Sequence, residues 1–235
     1  MSKFQKNWIN LCFIIDSSGS MWDSKESVIN GYKKIIKEQK AVEEGKVTVS
    51  LFTFNSEVTE HYVGKDINDI PKFKYVCEGM TRLNDGIGIA VDKVGKWLYE
   101  LDSNGKDLPQ KTIVVVMTDG LENSSTEYTL EQVRAKIKEQ TEVYSWEFVY
   151  QGVDITTTNA ADDLGFKYKT YNTRSNLSNN YDMINCLSTT YRKFASTAGA
   201  TMDSINATVD FVLQEETKKN TEAFEKILGK KITKV

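Results

Sequence analysis

Along this chain, segments whose hydrophobic pattern favours β-strands alternate with segments whose pattern favours amphipathic helices. Short apolar or β-branched runs predict strands at residues 9–15, 46–55, 58–63, 112–117, 143–151 and 166–171. Apolar residues spaced by three or four positions predict helices at 25–39, 85–101, 129–141, 156–164 and 181–195, whereas 66–75 has no clear period. Strands that alternate with helices predict an α/β fold with a doubly wound sheet.

The last part of the chain has a different pattern. After a polar stretch at 172–180 and the predicted helix at 181–195, a small, glycine-containing segment at 196–200 is typical of a hinge. A further helix is predicted at 203–228. We therefore predict an α/β domain at 1–195 and a helical extension at 196–235. The last helix docks either on its own domain or on a partner or second copy of the chain, which would make a homo-oligomer; the pattern slightly favours the second.

Composition narrows the class of protein. The chain has 235 residues with 40% hydrophobic and 27% charged residues, which is typical of a globular protein. Its 30 Lys and Arg against 33 Asp and Glu give a net charge of -3, which argues against non-specific nucleic-acid binding. The polar N-terminus has no signal-peptide pattern, and the apolar runs are too short to cross a bilayer. We therefore expect a cytoplasmic protein with no membrane partner.

Two scarce residue types restrict the chemistry. The three cysteines, Cys12, Cys77 and Cys186, are far apart, which argues against a disulfide framework or a Cys/His metal cage. The single histidine, His61, lies in a tyrosine-flanked strand-like stretch, so a surface or edge-strand role is favoured over a catalytic triad.

Oxygen-bearing side chains instead gather in three polar clusters. Asp16, Ser18 and Ser20 follow the first predicted strand, Thr81 opens a glycine-containing turn before a helix, and Asp119 ends a core strand. In a doubly wound sheet all three clusters fall on the edge formed by the carboxyl ends of the strands. Hard divalent cations prefer oxygen ligands, so this arrangement predicts a site for Mg²⁺, with Mn²⁺ or Ca²⁺ as alternatives.

At these clusters the sequence resembles the von Willebrand factor type A family. The resemblance rests on Ile14-Ile15-Asp16-Ser17-Ser18-Gly19-Ser20-Met21, Thr81-Arg82-Leu83-Asn84-Asp85-Gly86-Ile87-Gly88 and Val115-Val116-Met117-Thr118-Asp119-Gly120. It covers about residues 8–195. More narrowly, the chain is similar to compact bacterial and phage members, some encoded near tellurite-resistance genes.

The resemblance implies a metal-ion-dependent adhesion site. Asp16, Ser18 and Ser20 would be the metal ligands of its first loop, Thr81 of the second and Asp119 of the third. It also implies that a partner protein's carboxylate fills the open coordination position, with no enzymatic activity. For the fold, it implies a mainly parallel central sheet with helices on both faces and one antiparallel edge strand, for which 58–63 is the natural candidate. One departure is Glu78-Gly79-Met80, where the family usually has a second glycine.

An enzymatic alternative is a magnesium-dependent phosphatase similar to the haloacid dehalogenase superfamily. Asp16 would be the nucleophile, Thr118 a phosphate contact and Asp119 a metal ligand. Ser18 argues against it, because that superfamily generally has a second Asp there as general acid.

Trp22, just after the first cluster, is either an exposed contact for a partner or packed under the loop. Asp23 and Asp85 are interpreted as helix first-turn carboxylates.

Overall fold

The computed structural model describes residues 4–152, 156–171 and 181–195, together with positions 207, 208, 210, 211, 214, 215, 218 and 222. The strands are β1 (Phe4–Asp16), β2 (Lys46–Phe54), β3 (Val58–Asp66), β4 (Leu108–Thr118), β5 (Glu147–Gly152) and β6 (Tyr168–Tyr171). The helices are α1 (Lys25–Ala41), α2 (Leu83–Ser103), α3 (Leu130–Glu142), α4 (Thr156–Asp163) and α5 (Tyr181–Ala195). A 3-10 helix at Gly19–Ser24, which the sequence pattern did not predict, precedes α1.

The strands form one six-stranded sheet in the order β3-β2-β1-β4-β5-β6. All neighbouring pairs are parallel except β2 and β3, which pair antiparallel. The doubly wound α/β fold and its single antiparallel edge strand are therefore confirmed. Strand order reverses between β1 and β4, and in such sheets this switch point is where ligands bind.

Helices cover both faces of the sheet, because the inner strands are apolar on both sides. Leu11 and Phe13 of β1 belong to the core that includes α1 and α5, whereas Cys12 and Ile14 belong to the core that includes α2, α3 and α4. The period-two alternation of β1 thus divides the domain into two hydrophobic cores. α5 is also held by Arg192, which donates to backbone oxygens at the end of α1 and just beyond it.

Several predicted boundaries were wrong. β5 begins at Glu147 rather than at 143, because Val143 and Tyr144 are exposed and Ser145 has a positive φ of 55°. β1, β3 and β4 are longer than predicted, and β6 is shorter. The stretch 66–75 gave no clear period; beyond Asp66, which ends β3, residues 67–77 form no helix or strand but still bury apolar side chains in the core: Ile67, Phe73, Tyr75 and Cys77.

The predicted helix at 203–228 lies mostly outside the described residues, although every described position within it is helical. The boundary predicted between 195 and 196 also falls outside them and stays a prediction. None of the described helices is long and apolar enough to cross a membrane. His61 lies on the edge strand β3, as predicted, with Nε2 2.9 Å from Thr53 Oγ1.

Candidate metal-binding site

Three loops meet beside the switch point between β1 and β4. The first follows β1, the second precedes α2 and the third follows β4, so the three predicted clusters are brought to one edge. Backbone hydrogen bonds join them: Gly19 N donates to Gly79 O over 3.1 Å, and Asn123 N donates to Thr81 O over 3.1 Å. The site is therefore built on loops that hold one another.

Asp16 is the deepest of the predicted ligands, with no exposed surface. Its Oδ1 accepts a hydrogen bond from Ser18 N over 2.7 Å, and its Oδ2 accepts one from Thr118 Oγ1 over 2.5 Å. The Tyr75 hydroxyl donates to its backbone oxygen, which ties the irregular 67–77 segment to the first loop. Burial, with a smaller contribution from the charge of Asp119, raises the pKa of Asp16 to about 6, although the hydrogen bonds oppose this shift.

A line of hydroxyl groups connects the first loop to Asp119. Ser18 Oγ lies 3.0 Å from Ser20 Oγ, which donates to Asp119 Oδ1 over 2.6 Å. Ser18 and Asp119 are buried whereas Ser20 is exposed, so two buried groups are connected through a hydroxyl that solvent can reach.

Thr81 approaches the same place from the second loop. A Cβ atom added to Gly120 would lie 3.2 Å from Thr81 Oγ1 and 3.6 Å from Asp16 Oδ2, so both oxygens border one small space. The structure thus brings together all five predicted side chains. Two carboxylates and three hydroxyls make a hard oxygen donor set whose charge would balance a divalent cation, and it fits Mg²⁺.

A buried clamp fixes the third loop against α2. Asp85, at the start of α2, is fully buried and accepts backbone hydrogen bonds from Thr126, Glu127 and Tyr128, each over 2.9 Å. In return, Glu122 accepts a 2.8 Å hydrogen bond from Asn84 N. The interpretation of Asp85 as a first-turn carboxylate is right about its position but missed this long-range role.

Asn123 completes the connection between the second and third loops. Its Oδ1 accepts a 2.9 Å hydrogen bond from Thr81 N, while its own N–H donates to Thr81 O. Sequence reasoning missed Glu122 and Asn123. The run of acid, amide and hydroxyl side chains at 122–126 is the signal that could have found them, because such residues commonly bind nearby backbone groups.

The glycine that shapes the second loop is Gly79. It has a left-handed φ of 77°, and a Cβ there would lie 2.5 Å from Ser56 Oγ. Gly19 of the first loop, by contrast, is not among the glycines with positive φ. The departure Glu78-Gly79-Met80 therefore contains the residue that this loop needs.

The structure also bears on two predictions for residues next to the site. Trp22 is 65% exposed, with Lys25 Nζ 5.2 Å from its ring centroid, so it does not pack under the loop. Thr118 is fully buried and its hydroxyl donates to Asp16 Oδ2, so this arrangement gives no support to the phosphate contact of the phosphatase alternative.

Comparison with solved structures shows the same fold in other proteins. Proximal thread matrix protein 1 from the mussel byssus is similar with a TM-score of 0.57 and 16% identity, over 77% of this chain and 46% of that one. The von Willebrand factor domain of the type V pili tip protein Mfa5 from Porphyromonas gingivalis has a TM-score of 0.56 and 13% identity, over 82% of this chain and 98% of that one. This chain thus spans less than half of the mussel protein.

A third similar structure is a D319A mutant of the PilB minor pilin from Streptococcus sanguinis, with a TM-score of 0.53 and 13% identity, over 82% of this chain and 63% of that one. No curated protein matches the chain. The model of the von Willebrand factor type A domain matches residues 10–182, which include all three loops, the carboxyl-terminal half of β1 and the strands β2 to β6. This chain therefore belongs to the von Willebrand factor type A domain family.

Proposed function

We propose that this protein is a metal-dependent protein-binding module. Asp16, Ser18, Ser20, Thr81 and Asp119 hold a divalent cation, Mg²⁺ first and Mn²⁺ or Ca²⁺ as alternatives, and the site captures a carboxylate of a partner protein. The observation that carries the proposal is that these side chains lie together: buried Asp16 accepts from Ser18 N, and the hydroxyls of Ser18 and exposed Ser20 lead to Asp119.

The charges of the site support this chemistry. Asp16 and Asp119 supply two negative charges, while the hydroxyls of Ser18, Ser20 and Thr81 supply neutral oxygens. A cation held by this set would retain affinity for one more anionic oxygen. The exposed side at Ser20 leaves a direction from which a partner's carboxylate can approach. The clamp of Asp85 and Glu122 holds the second and third loops in place before binding.

The comparisons add support at the level of the fold. One structure of the mussel protein has a zinc-occupied metal-ion-dependent adhesion motif, and it is similar to this chain with a TM-score of 0.53 and 15% identity over 79% of this chain and 46% of that one. Family membership supports binding rather than turnover.

The proposal is tested by thermal denaturation of the metal-free chain with added Mg²⁺, Mn²⁺ or Ca²⁺. We expect at least one cation to raise the melting temperature of the wild type, because it binds only the folded state. Asp16→Asn and Asp119→Asn should abolish the increase, whereas Glu60→Gln, an exposed position on β3, should leave it unchanged.

A contrary result is equally measurable. Absence of any increase at millimolar concentrations of all three ions would overturn metal binding by the chain alone. Hydrolysis of p-nitrophenyl phosphate that is lost in Asp16→Asn but kept in Glu60→Gln would favour the phosphatase alternative instead.

A further inference from the structure

Three exposed apolar side chains lie in the loops that form the candidate metal site, one in each loop. Trp22 is 65% exposed, and Met80 and Leu121 are each 53% exposed. Each lies within two residues of a predicted metal ligand in its own loop. Single exposed apolar residues are ordinary on protein surfaces, but their repetition in all three loops of one site indicates a contact surface. We call Trp22, Met80 and Leu121 the apolar collar.

The local structure holds the collar residues in their loops. Met21 is fully buried, so the 3-10 helix that contains Trp22 is anchored by its neighbour. Met80 N donates a 3.0 Å hydrogen bond to Ser56 Oγ, which fixes the backbone beside Thr81. Leu121 stands between Gly120, which borders Thr81, and the clamped loop that follows. A partner would therefore meet a surface whose backbone is already ordered.

Charges beside the collar restrict the partner further. Asp23 and Glu78 are exposed in the first and second loops, next to Trp22 and near Met80. These carboxylates would repel a run of acidic residues, whereas the cation of the proposed site attracts one carboxylate. Lys25, which lies against the Trp22 ring, is the basic neighbour of the first loop. The surface therefore favours one acid among neutral apolar neighbours.

Resting on the proposed function, we infer that the site recognises a partner segment in which a single Asp or Glu is flanked by bulky apolar residues. The carboxylate completes the cation's coordination and the flanking side chains pack on the collar. Aromatic and apolar anchors beside a buried polar contact commonly dominate binding at an interface, and Trp is strongly enriched among them.

The test uses the full chain and an immobilised array of seven-residue peptides with a fixed central Asp and randomised flanks, read in Mg²⁺ and in EDTA. Peptides bound only in Mg²⁺ should be enriched in Leu, Ile, Phe, Trp or Met next to the Asp and depleted in a second acid. The triple variant Trp22→Ser, Met80→Ser, Leu121→Ser should bind these peptides at least about tenfold more weakly. It should keep the Mg²⁺-induced increase in melting temperature. Tyr99→Ser, at a position 72% exposed on α2, is the matched control and should change neither property.

The outcomes separate this inference from the proposed function. Magnesium-dependent peptides without apolar enrichment, or with equal binding to the triple variant, would overturn the collar while leaving the metal site intact. An array that yields no magnesium-dependent peptide, although the thermal shift is present, would also overturn it. If no cation raises the melting temperature of the wild type, the proposed function itself is contradicted.

Discussion

At the scale of single residues, burial and the need for a negative charge oppose each other at Asp16. Its carboxylate is fully buried, and desolvation disfavours the charge that a metal ligand must have. Thr118 and Ser18 stabilise the charge through hydrogen bonds, but burial still raises the pKa to about 6. Asp16 therefore destabilises the metal-free protein in its charged form, and a bound cation would remove that penalty.

The first prediction follows from the sign of this shift. The folded pKa of Asp16 lies above its ordinary value of 3.8, so the folded state binds the proton more tightly than the unfolded state. The contribution of Asp16 to the free energy of unfolding is therefore most favourable below about pH 4 and is lost as pH rises to about 6. In EDTA, the free energy of unfolding of the wild type, taken relative to that of Asp16→Asn, should therefore fall by about 2–3 kcal/mol between pH 4 and pH 7.

Chemical denaturation of both proteins at several pH values checks this prediction. The wild type should lose stability relative to Asp16→Asn as the pH rises from 4, where its carboxyl is neutral, to 7, and excess Mg²⁺ at pH 7 should stabilise the wild type but not the variant. Glu60→Gln controls for the loss of an exposed carboxylate. A stability difference between the two proteins that stays the same from pH 4 to pH 7 without metal would contradict the account of Asp16.

At the scale of elements, the start of α2 and the third loop act as one unit. Asp85 accepts three backbone N–H groups of this loop, and a neutral amide can accept fewer because one of its ends is a donor. We predict that Asp85→Asn lowers the free energy of unfolding by about 2–3 kcal/mol, because buried donors lose their partner. Mg²⁺ affinity should fall about tenfold, since the loops of Thr81 and Asp119 lose their support.

Glu100→Gln is the matched control for this substitution, because Glu100 lies near the far end of the same helix and is exposed. It should change stability by less than about 0.5 kcal/mol and leave Mg²⁺ affinity unaltered. Denaturant unfolding gives the first quantity and calorimetric titration the second. If Asp85→Asn has the stability and the Mg²⁺ affinity of the wild type, the clamp does not position the site.

The elements also show which features the sequence could predict. β1 and β4 were evident because their apolar runs are flanked by polar turns, and the loops after them fall at one edge in any doubly wound sheet. The clamp was not evident, since Asp85 and its partners at 126–128 are distant in sequence and each reads locally as an ordinary polar residue. The start of β5 was misplaced because Val143 and Tyr144 have strand propensity although they occupy an exposed turn.

At the scale of the whole molecule, the contacts of the helical extension decide how it relates to the sheet. Asp210 accepts a 2.8 Å hydrogen bond from Lys167 and another from the Tyr168 hydroxyl of β6. Nearby, Glu147 Oε1 accepts from buried Lys111 over 3.1 Å and from Tyr191 of α5 over 2.9 Å. Asp210 of the extension thus contacts its own domain. The apolar spacing of the predicted helix at 203–228 could not show this, because an amphipathic helix does not reveal which surface its apolar face packs on.

The last prediction concerns this contact. Asp210→Ala should lower the free energy of unfolding by about 1 kcal/mol, a modest value because the Lys167 ion pair is exposed. The molar mass measured by light scattering should stay that of one chain at every concentration. Glu215→Ala, at an exposed position of the same segment, should alter neither quantity.

Phe211 tests the competing expectation of self-association. Its side chain is 66% exposed beside Asp210, so it would lie in a contact between copies if the helix docked on a second chain. If the wild type is a dimer, Phe211→Ser should shift the mass towards one chain while Asp210→Ala leaves it unchanged. If both variants and the wild type have the mass of one chain, self-association through this helix is contradicted. The proposed partner surface of Trp22, Met80 and Leu121 would then be free of any contact between copies through this helix.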